Sequence, residues 1–233
     1  SLEDGRVVRA RTVVDASGAT WSKSWPDWSK DLDATSVYHS IGHGVLKDVH
    51  GMRLLIVGGG HATPDIAVRQ AERGAHVTVV VRGERLRCSF LPYPELYISK
   101  AAQRAYERLD YVFRYRILMH IYNNGPWVTP RSYDEYVAFM RTRRSGDGGT
   151  IRMATQAVVT FVRQRADGIE VHLSNGWVEI VDAVVCATGF VPSFGSGRPF
   201  AWHGVDFSDV LLGGYPKLAG DYNLRGVPGA FVI

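Results

Sequence analysis

The stretch Met52–Arg82, which reads MRLLIVGGGHATPDIAVRQAERGAHVTVVVR, constrains the fold more than any other part of the sequence. Arg53–Val57 is a short apolar run, as in a strand that is buried on both faces of a sheet, and three glycines follow it directly. Pro64 and Asp65 suit the first turn of a helix, where a missing N–H costs nothing and a negative charge meets the helix dipole. Val77–Val81 is a second β-branched run. The stretch therefore predicts a strand, a glycine turn, a helix and a second strand.

This order of elements is typical of dinucleotide binding, because the start of the helix presents backbone N–H groups to a pyrophosphate. Gly58 permits the tight turn and Gly60 lets the backbone approach the pyrophosphate, so two positions of the G-x-G-x-x-G pattern are met. The third position holds Thr63, which is larger than glycine or alanine, and we expect the helix and strand to pack less closely there. The alternative is a glycine turn in an ordinary α/β protein, but the complete unit favours dinucleotide binding.

The end of the second strand decides between the two nicotinamide cofactors. NAD requires an acidic residue there to bind a ribose hydroxyl, whereas this chain has Arg82, which favours the 2′-phosphate of NADP. Glu84 lies two positions further on and leaves NAD open. We therefore predict an NADP site with Arg82 at its adenosine end.

The overall composition is that of an ordinary globular protein. The 233 residues suffice for one large or two small domains, and they are 45% hydrophobic and 21% charged. The net charge of +4 comes with dispersed arginines, which argues against a nucleic-acid partner. No apolar run is long enough for an integral membrane segment. Cys88 and Cys186 form neither a disulfide framework nor a C-x-x-C pair, so we expect a cytoplasmic protein.

The residues before the nucleotide unit predict a hairpin and a loop. Asp4-Gly5 is a turn signal, and a strand is expected to follow over Val7–Val14. Residues 19–36 read as a connecting loop, whose tryptophans either cover an interdomain surface or contact a substrate. His39 and His43 are four apart, as in a metal site on a helix. The glycines beside them and the lack of an acidic or cysteine cluster argue against a metal, and none is predicted.

Two helices are predicted after the nucleotide unit. The first covers roughly Leu96–Ile121, where apolar residues recur at three- and four-residue steps. The second covers Ser132–Arg144, with Ser132 as its N-cap and Glu135 completing a capping box. Their aromatic residues are expected to pack. Three side chains of the first helix are alternatively candidates to line a substrate channel: Tyr111, Tyr115 and Arg116.

From Thr150 to Val185 the pattern is that of β-strands. Asp167-Gly168 and Asn175-Gly176 predict hairpin turns between alternating strands, which together form a small meander attached to the parallel sheet. The predicted strands are Ile151–Met153, Ala157–Val162, Ile169–Leu173 and Val178–Val185. The last of them runs into Ala187-Thr188-Gly189.

Small residues end one strand before the nucleotide unit, at Ala16-Ser17-Gly18, and another after it, at Ala187-Thr188-Gly189. In this the chain resembles the flavoproteins with two dinucleotide-binding domains, where an NADP domain is inserted into an FAD domain and such segments mark both crossings. It is most similar to the flavin-containing monooxygenases, through VGGGHATPDIA with VTVVVR, CATGFVPS and GVPGAFVI. The family fingerprint F-x-G-x-x-x-H is mostly absent, since Asp33 and Thr35 stand at its Phe and Gly positions, which weakens "monooxygenase" relative to "flavin oxidoreductase".

The resemblance implies an α/β fold, with a Rossmann-like NADP-binding domain of parallel sheet and β-meander inserted into an incomplete FAD-binding domain. Residues 1–35 are then part of the FAD-binding domain, residues 36–190 are the NAD(P)-binding domain with a helical insertion at about 88–144, and residues 191–233 return to the FAD-binding domain. No FAD glycine motif is visible in this sequence, so we expect an internal fragment of a longer enzyme.

The resemblance also implies the activity, which is that of an NADPH- and FAD-dependent monooxygenase that uses O2 to insert one oxygen atom into a small organic substrate. The alternatives are an NADP-binding module without flavin, and a flavin reductase or dehydrogenase without oxygen insertion. The cofactor carries out the chemical step in such enzymes, so no catalytic residue is predicted.

The implied cofactor-binding residues are Gly58, Gly60, His61, Ala62, Thr63, Asp65, Arg82, Ala187, Thr188 and Gly189. Four histidines are candidates for shielding or proton work, although each is more often structural: His39, His43, His61 and His120.

Overall fold

The computed structural model describes residues 9–15, 22–42, 44, 46–86, 99–124, 128, 130–142, 148–191, 211–218, 223–224, 227–228 and 230–232. The chain divides into two units, of which the first contains residues 1–23, 92–124 and 190–233, and the second contains residues 24–91 and 125–189. The stretch expected to be one helical insertion therefore contributes to both units. The assignment of FAD- and NADP-binding domains to the chain stays a prediction.

The described elements are numbered in chain order. The strands are β1 (Val13–Asp15), β2 (Val37–His39), β3 (Arg53–Val57), β4 (His76–Val80), β5 (Thr150–Ala154), β6 (Val159–Arg165), β7 (Gly168–Leu173), β8 (Val178–Val181), β9 (Ala183–Cys186), β10 (Leu211–Leu212), β11 (Tyr215–Pro216) and β12 (Ala230–Val232). The helices are α1 (Ala62–Glu72), α2 (Lys100–Glu107), α3 (Tyr111–Asn124) and α4 (Pro130–Thr142), and a short 3-10 helix covers Asp27–Asp31.

A five-stranded sheet in the order β2–β9–β3–β4–β5 forms the centre of the second unit, and all its neighbouring strands are parallel. The predicted strand, glycine turn, helix and second strand are confirmed as β3, the turn, α1 and β4. Helix α4 precedes β5 in the chain and packs on α1. The α/β fold class with a parallel sheet is thus the observed one.

Alternate residues of each central strand enter two different cores, one on each face of the sheet. Leu54 and Ile56 pack on the side of α1 and α4, whereas Leu55 packs on the side of the meander formed by β6, β7 and β8. All three side chains are at most 1% exposed. Burying one such side chain contributes roughly 1.5–3 kcal/mol. This double burial explains why the run Arg53–Val57 lacks the apolar–polar alternation of a half-exposed strand.

The predicted meander is confirmed as the antiparallel sheet β6–β7–β8. At the first turn Arg165 pairs with Gly168, which has a φ of +136°. A Cβ at Gly168 would lie 2.5 Å from the carbonyl oxygen of Val181, so the position requires glycine. At the second turn the side-chain Oδ1 of Asn175 accepts a hydrogen bond of 3.2 Å from the N–H of Trp177.

The single strand predicted over Val178–Val185 is wrong, because it is divided at Asp182 into β8 and β9. Strand β8 belongs to the meander and β9 to the parallel sheet. The carboxylate of Asp182 accepts from the backbone N–H of Arg53 at 2.7 Å and from its guanidinium at 2.5 Å. Because the Asp182 side chain binds the start of β3 in this way, β8 ends before it and β9 begins after it.

The helix predicted over Leu96–Ile121 is observed as two helices, α2 and α3, with residues 91–98 outside the described part. The interruption at residues 108–110 has a local cause. Asp110 accepts hydrogen bonds from the backbone N–H groups of Val112 and Phe113 at 2.8 and 2.9 Å, and so caps the start of α3. The apolar periodicity continues through this break, which is why it predicted one helix.

Ser132 does not cap the second predicted helix, so the predicted capping box is wrong. Helix α4 begins two residues earlier, at Pro130, and Ser132 is a buried residue of its first turn. Proline suits this first position because it has no N–H to satisfy. Glu135 instead forms an ion pair of 2.9 Å with Arg131 along the surface of the helix.

In the first unit β1 pairs in parallel with β12, and β10 pairs with β11. Of the strand predicted over Val7–Val14, only Val13 and Val14 belong to a strand, because β1 covers Val13–Asp15 and the described residues 9–12 are not in a strand. The Asp4-Gly5 hairpin lies outside the described residues. Arg114 connects three segments of this unit, because its guanidinium donates to the carbonyl oxygens of Glu107, Leu109 and Leu218. Among the helices described, none has the length and apolar content that crossing a bilayer requires.

Glu170 is the centre of the charged outer face of the meander. Its carboxylate oxygens accept from the imidazole Nε2 of His172 at 2.7 Å, from Arg163 at 2.7 Å and from Arg165 at 2.8 Å. These hydrogen bonds, with that from His172 the largest cause, lower the pKa of Glu170 to about 2. The folded meander therefore binds the ionised carboxylate in preference to the acid.

The pH dependence of stability follows from this lowered pKa. The stabilisation by Glu170 is complete above its ordinary pKa of 4.5 and is lost as the pH falls toward 2. We expect Glu170→Gln to lower the Tm at pH values above 4.5, with the difference from the unchanged chain shrinking between pH 4.5 and 2. Thermal unfolding followed by circular dichroism measures this. The control is Asp134→Asn, because Asp134 is exposed and its carboxylate forms no ion pair in the described residues. A Tm difference for Glu170→Gln that does not change with pH would contradict the expectation.

Candidate functional site

The carboxyl ends of the parallel strands form the edge of the second unit at which ligands bind in sheets of this kind. Strand β3 leads into the glycine turn, β4 into Arg82, and β9 into Ala187–Gly189. The structure thus brings the predicted site residues to one edge of one sheet. Three features decide what this edge can bind: the geometry of the glycine turn, the start of helix α1 and the residue that follows β4.

Gly58 is required by the fold itself. Its φ is +141°, and a Cβ on it would lie 2.2 Å from the carbonyl oxygen of Ala187. Its N–H donates to the carbonyl of Val80 at 3.0 Å, and its own carbonyl accepts from the Thr63 hydroxyl at 3.0 Å. Thr63 is completely buried, so at the third position of the glycine pattern its hydroxyl holds the turn to the helix.

Gly60 differs from Gly58, because nothing in the described part of the chain requires glycine there. Its φ lies outside the left-handed range, and a Cβ on it would meet no atom within 4 Å. Gly59 is intermediate, since a Cβ there would make an ordinary contact of 3.6 Å with Val81. The open space over Gly60 is where a pyrophosphate would lie against the backbone, so this position fits a dinucleotide.

Helix α1 begins beside this space without a side-chain cap. His61 stands at the cap position in helical conformation and accepts no capping hydrogen bond with its side chain, and Ala62 is the first helical residue. The N–H of Thr63 bonds to the carbonyl of Gly60 at 3.1 Å. An uncapped helix start carries a partial positive charge that suits an anion.

Asp65 lies in the first turn of α1, as predicted, and is half-buried. It lines a groove of about 700 Å³ between α1 and α4, together with Arg131 and Glu135. Of the cofactor-binding residues implied by the sequence, Asp65 is therefore the one that lines this groove between α1 and α4.

Arg82 is exposed and follows β4 by two residues. Within the described part of the chain its guanidinium forms no hydrogen bond or ion pair. The loop that carries it is held by backbone bonds to the segment after β5, where Val81 donates to Ala154 at 3.0 Å and Gln156 donates to Gly83 at 2.9 Å. An arginine without a protein acceptor, on a fixed loop, is suited to bind a phosphate.

Ala187, Thr188 and Gly189 are joined to their surroundings by hydrogen bonds. The N–H of Ala187 donates to Val57 at 2.8 Å, and the hydroxyl of Thr188 donates to the carbonyl of Ser24. Gly189 has a φ of +78°, and its carbonyl accepts from the N–H of Ser24 at 2.9 Å. Because Ala187 lies directly against Gly58, a bulkier side chain in this segment would disturb the glycine turn.

His39 is a structural histidine at the end of β2. It is 1% exposed, and its Nε2 lies 2.9 Å from the carbonyl oxygen of Gly189, to which it must donate. The ring of Trp25 meets it edge to face at a centroid distance of 5.4 Å. His39 therefore secures the Ala187–Gly189 segment, a link between distant residues that the sequence did not reveal.

The remaining candidates lie apart from this edge or outside the described residues. His43 and Trp21 are not among the described residues, and His120 is an exposed residue of α3 in the first unit. Tyr111 packs under the Arg114 guanidinium at 5.2 Å, and Arg116 lies over the ring of Phe113 at 5.8 Å. Tyr115 packs on Tyr215 at a centroid distance of 6.2 Å. These contacts agree with the expectation that the aromatic residues pack.

Solved structures with a similar fold include flavin-dependent enzymes. The chain is similar to L-lysine 6-monooxygenase from Pseudomonas syringae, with a TM-score of 0.72 and 20% identity over 95% of this chain. It is equally similar to the ornithine N-hydroxylase of Kutzneria sp. 744, solved with reduced FAD, NADP+ and L-ornithine, with a TM-score of 0.72 and 19% identity over 97% of this chain. The chain is also similar to the flavoprotein disulfide reductase RclA of Escherichia coli, with a TM-score of 0.58 and 18% identity over the whole of this chain.

These similarities define the fold class, which is that of the flavoproteins with two dinucleotide-binding domains. The chain spans 56% and 57% of the length of the two monooxygenases and 41% of the reductase. No model of a known protein family matches the sequence. No curated protein matches it either.

The two outer glycines of the turn give a paired stability test. We expect Gly58→Ala to lower the free energy of unfolding by more than about 2 kcal/mol, because the new Cβ overlaps backbone atoms at a left-handed φ. Gly60→Ala should change it by less than about 0.5 kcal/mol, because its Cβ meets open space. Urea denaturation followed by circular dichroism measures both. Equal destabilisation by the two variants would show that Gly60 also serves the fold.

Proposed function

We propose that this chain is part of an NADPH- and FAD-dependent flavin monooxygenase that inserts one oxygen atom from O2 into a small organic substrate. The observation that carries the proposal is the edge of the parallel sheet, where open space over Gly60, an uncapped helix start and Arg82, which has no partner among the described residues, lie together. Similarity to the folds of the lysine and ornithine hydroxylases supports it. In this proposal residues 36–190 form the NAD(P)-binding domain, and residues 1–35 and 191–233 belong to the FAD-binding domain.

The residues of the site have separate tasks in this proposal. The backbone at Gly60, His61 and Ala62 binds the pyrophosphate, because helix N–H groups stabilise an anion without any side chain. Arg82 binds the 2′-phosphate, and Ala187–Gly189 keep the neighbouring strand end in place. NADPH and FAD supply the hydride transfer and the oxygen chemistry when they are bound. The protein binds and orients them and excludes water.

A flavin reductase or dehydrogenase without oxygen insertion is the second candidate. The similarity to the disulfide reductase RclA over the whole chain favours it. Disulfide reduction itself has no support, because the sequence contains no C-x-x-C pair. An NADP-binding module without flavin is the third candidate, since the glycine turn and Arg82 alone satisfy it.

Arg82 gives a direct test of the NADP assignment. We expect Arg82→Glu to weaken NADP+ binding at least about 30-fold, because it replaces a charge-assisted phosphate contact by repulsion. NAD+ binding should stay within about threefold of the unchanged chain or improve. Isothermal titration with both cofactors measures this. Arg69→Glu, in the last turn of α1, changes the net charge by the same amount and is the control. NADP+ affinity retained in Arg82→Glu would refute the assignment.

Purification of the full-length protein that contains this chain separates the three candidates. We expect the protein to carry a flavin absorbance band and to yield an oxygenated product for each NADPH oxidised in the presence of its substrate. NADPH oxidation without an oxygenated product would favour the reductase. Absence of flavin with retained NADP+ binding would favour the flavin-free module. Amino acids with a side-chain amine are the first substrates to test, since the two similar hydroxylases act on lysine and ornithine.

A further inference from the structure

Gln156 occupies a backbone conformation that its side chain does not favour. It lies two residues after the end of β5 and has a φ of +50°. Among the described residues it is the one residue other than glycine that has a positive φ. Such conformations are uncommon outside glycine, asparagine and aspartate, and they cluster at functional sites. Glycine would adopt this conformation freely.

Backbone hydrogen bonds hold this conformation on both sides of Gln156. Its own N–H donates to the carbonyl of Gly83 at 2.9 Å, and the N–H of Ala157 donates to the carbonyl of Val81 at 3.1 Å. The N–H of Val81 donates to Ala154 at 3.0 Å. The residue is therefore fixed beside the loop that carries Arg82.

The side chain of Gln156 does not account for its own conformation. It is exposed, and its amide makes no hydrogen bond within the described residues. The turn needs only the backbone bonds, which a glycine would make equally well. A strained residue with a free amide, at the ligand-binding edge of a parallel sheet, is what a binding contact requires.

The strand order decides which part of a dinucleotide Gln156 faces. In the order β9–β3–β4–β5 the glycine turn follows β3, Arg82 follows β4 and Gln156 follows β5. Neighbouring strands are about 4.8 Å apart, so Gln156 lies on the side of Arg82 that is away from the pyrophosphate turn. The side-chain amide of glutamine offers an NH2 donor group and a carbonyl acceptor side by side, which matches the donor and acceptor at the adenine edge.

We propose that Gln156 is a binding residue for the adenosine end of NADP(H), next to Arg82. The inference rests on the proposed function and adds to it a residue at which no sequence motif points. The side-chain amide hydrogen-bonds the adenosine moiety, and the left-handed backbone directs it there.

The test replaces Gln156 by glycine, which keeps the backbone conformation and removes only the side chain. We expect Gln156→Gly to leave the Tm unchanged or raise it, and to weaken binding of NADP+ and of 2′,5′-ADP by the same factor of about five, as for the loss of one neutral hydrogen bond. Gln156→Asn, which retains an amide and tolerates this backbone, should recover part of the loss. Asn175→Gly, in the remote turn of the meander, is the control for an exposed turn amide and should bind both probes normally.

The outcomes distinguish this inference from the proposed function. Unchanged binding of 2′,5′-ADP by Gln156→Gly would overturn the inference while leaving the NADP assignment in place. A loss for NADP+ without a loss for 2′,5′-ADP would also overturn it, because the contact would then lie at the nicotinamide end. A fall in Tm together with the loss of binding would indicate a structural role and overturn it too. Failure of the unchanged chain to bind either probe would instead refute the proposed function.

Discussion

The close approach of Gly58 to the carbonyl of Ala187 is the constraint on which the rest of the site depends. With no Cβ at Gly58, the end of β3 rests directly on the end of β9. The glycine turn and the segment Ala187–Gly189 therefore form one structural piece, although they lie far apart in sequence. The hydroxyl of Thr63 holds that piece from the helix side, and the imidazole of His39 holds it from β2. Fixing both sides keeps the open space over Gly60 in a constant shape.

The glycine pattern thus combines two different physical demands. Gly58 satisfies packing and backbone conformation within the protein, whereas a Cβ at Gly60 would meet open space among the described residues. Thr63 shows that the third position need not be glycine or alanine, because a buried hydroxyl that bonds the turn fills the same place. A sequence motif records only that small residues occur at these positions. The distances to neighbouring atoms separate Gly58, which the fold needs, from Gly60, which it does not need among the described residues.

Most of the fold of the second unit was predictable from the sequence, because its signals are local. Apolar runs flanking a glycine turn predicted β3, α1 and β4, and Asp-Gly and Asn-Gly pairs predicted the meander turns. The failures occurred where a single polar side chain overrides periodicity, as Asp110 does in capping α3 and Asp182 does in dividing β8 from β9. His39 was named only as one of four candidate histidines, and its bond to Gly189 could not be predicted because it depends on a long-range contact. The positive φ of Gln156 was not predicted either, because residue type does not encode backbone conformation.

The strand order also orients the proposed coenzyme. Arg82 and Gln156 follow β4 and β5 on one side of the pyrophosphate turn, and β9 and β2 lie on the other. With the adenosine end at Arg82, as proposed, the nicotinamide end would lie toward Ala187–Gly189. His39 lies behind that segment, is 1% exposed and has its Nε2 committed to Gly189. A buried imidazole whose Nε2 is bonded to Gly189 positions the backbone, so in the proposed binding mode the reactive end of the coenzyme would meet a surface built from backbone and small side chains.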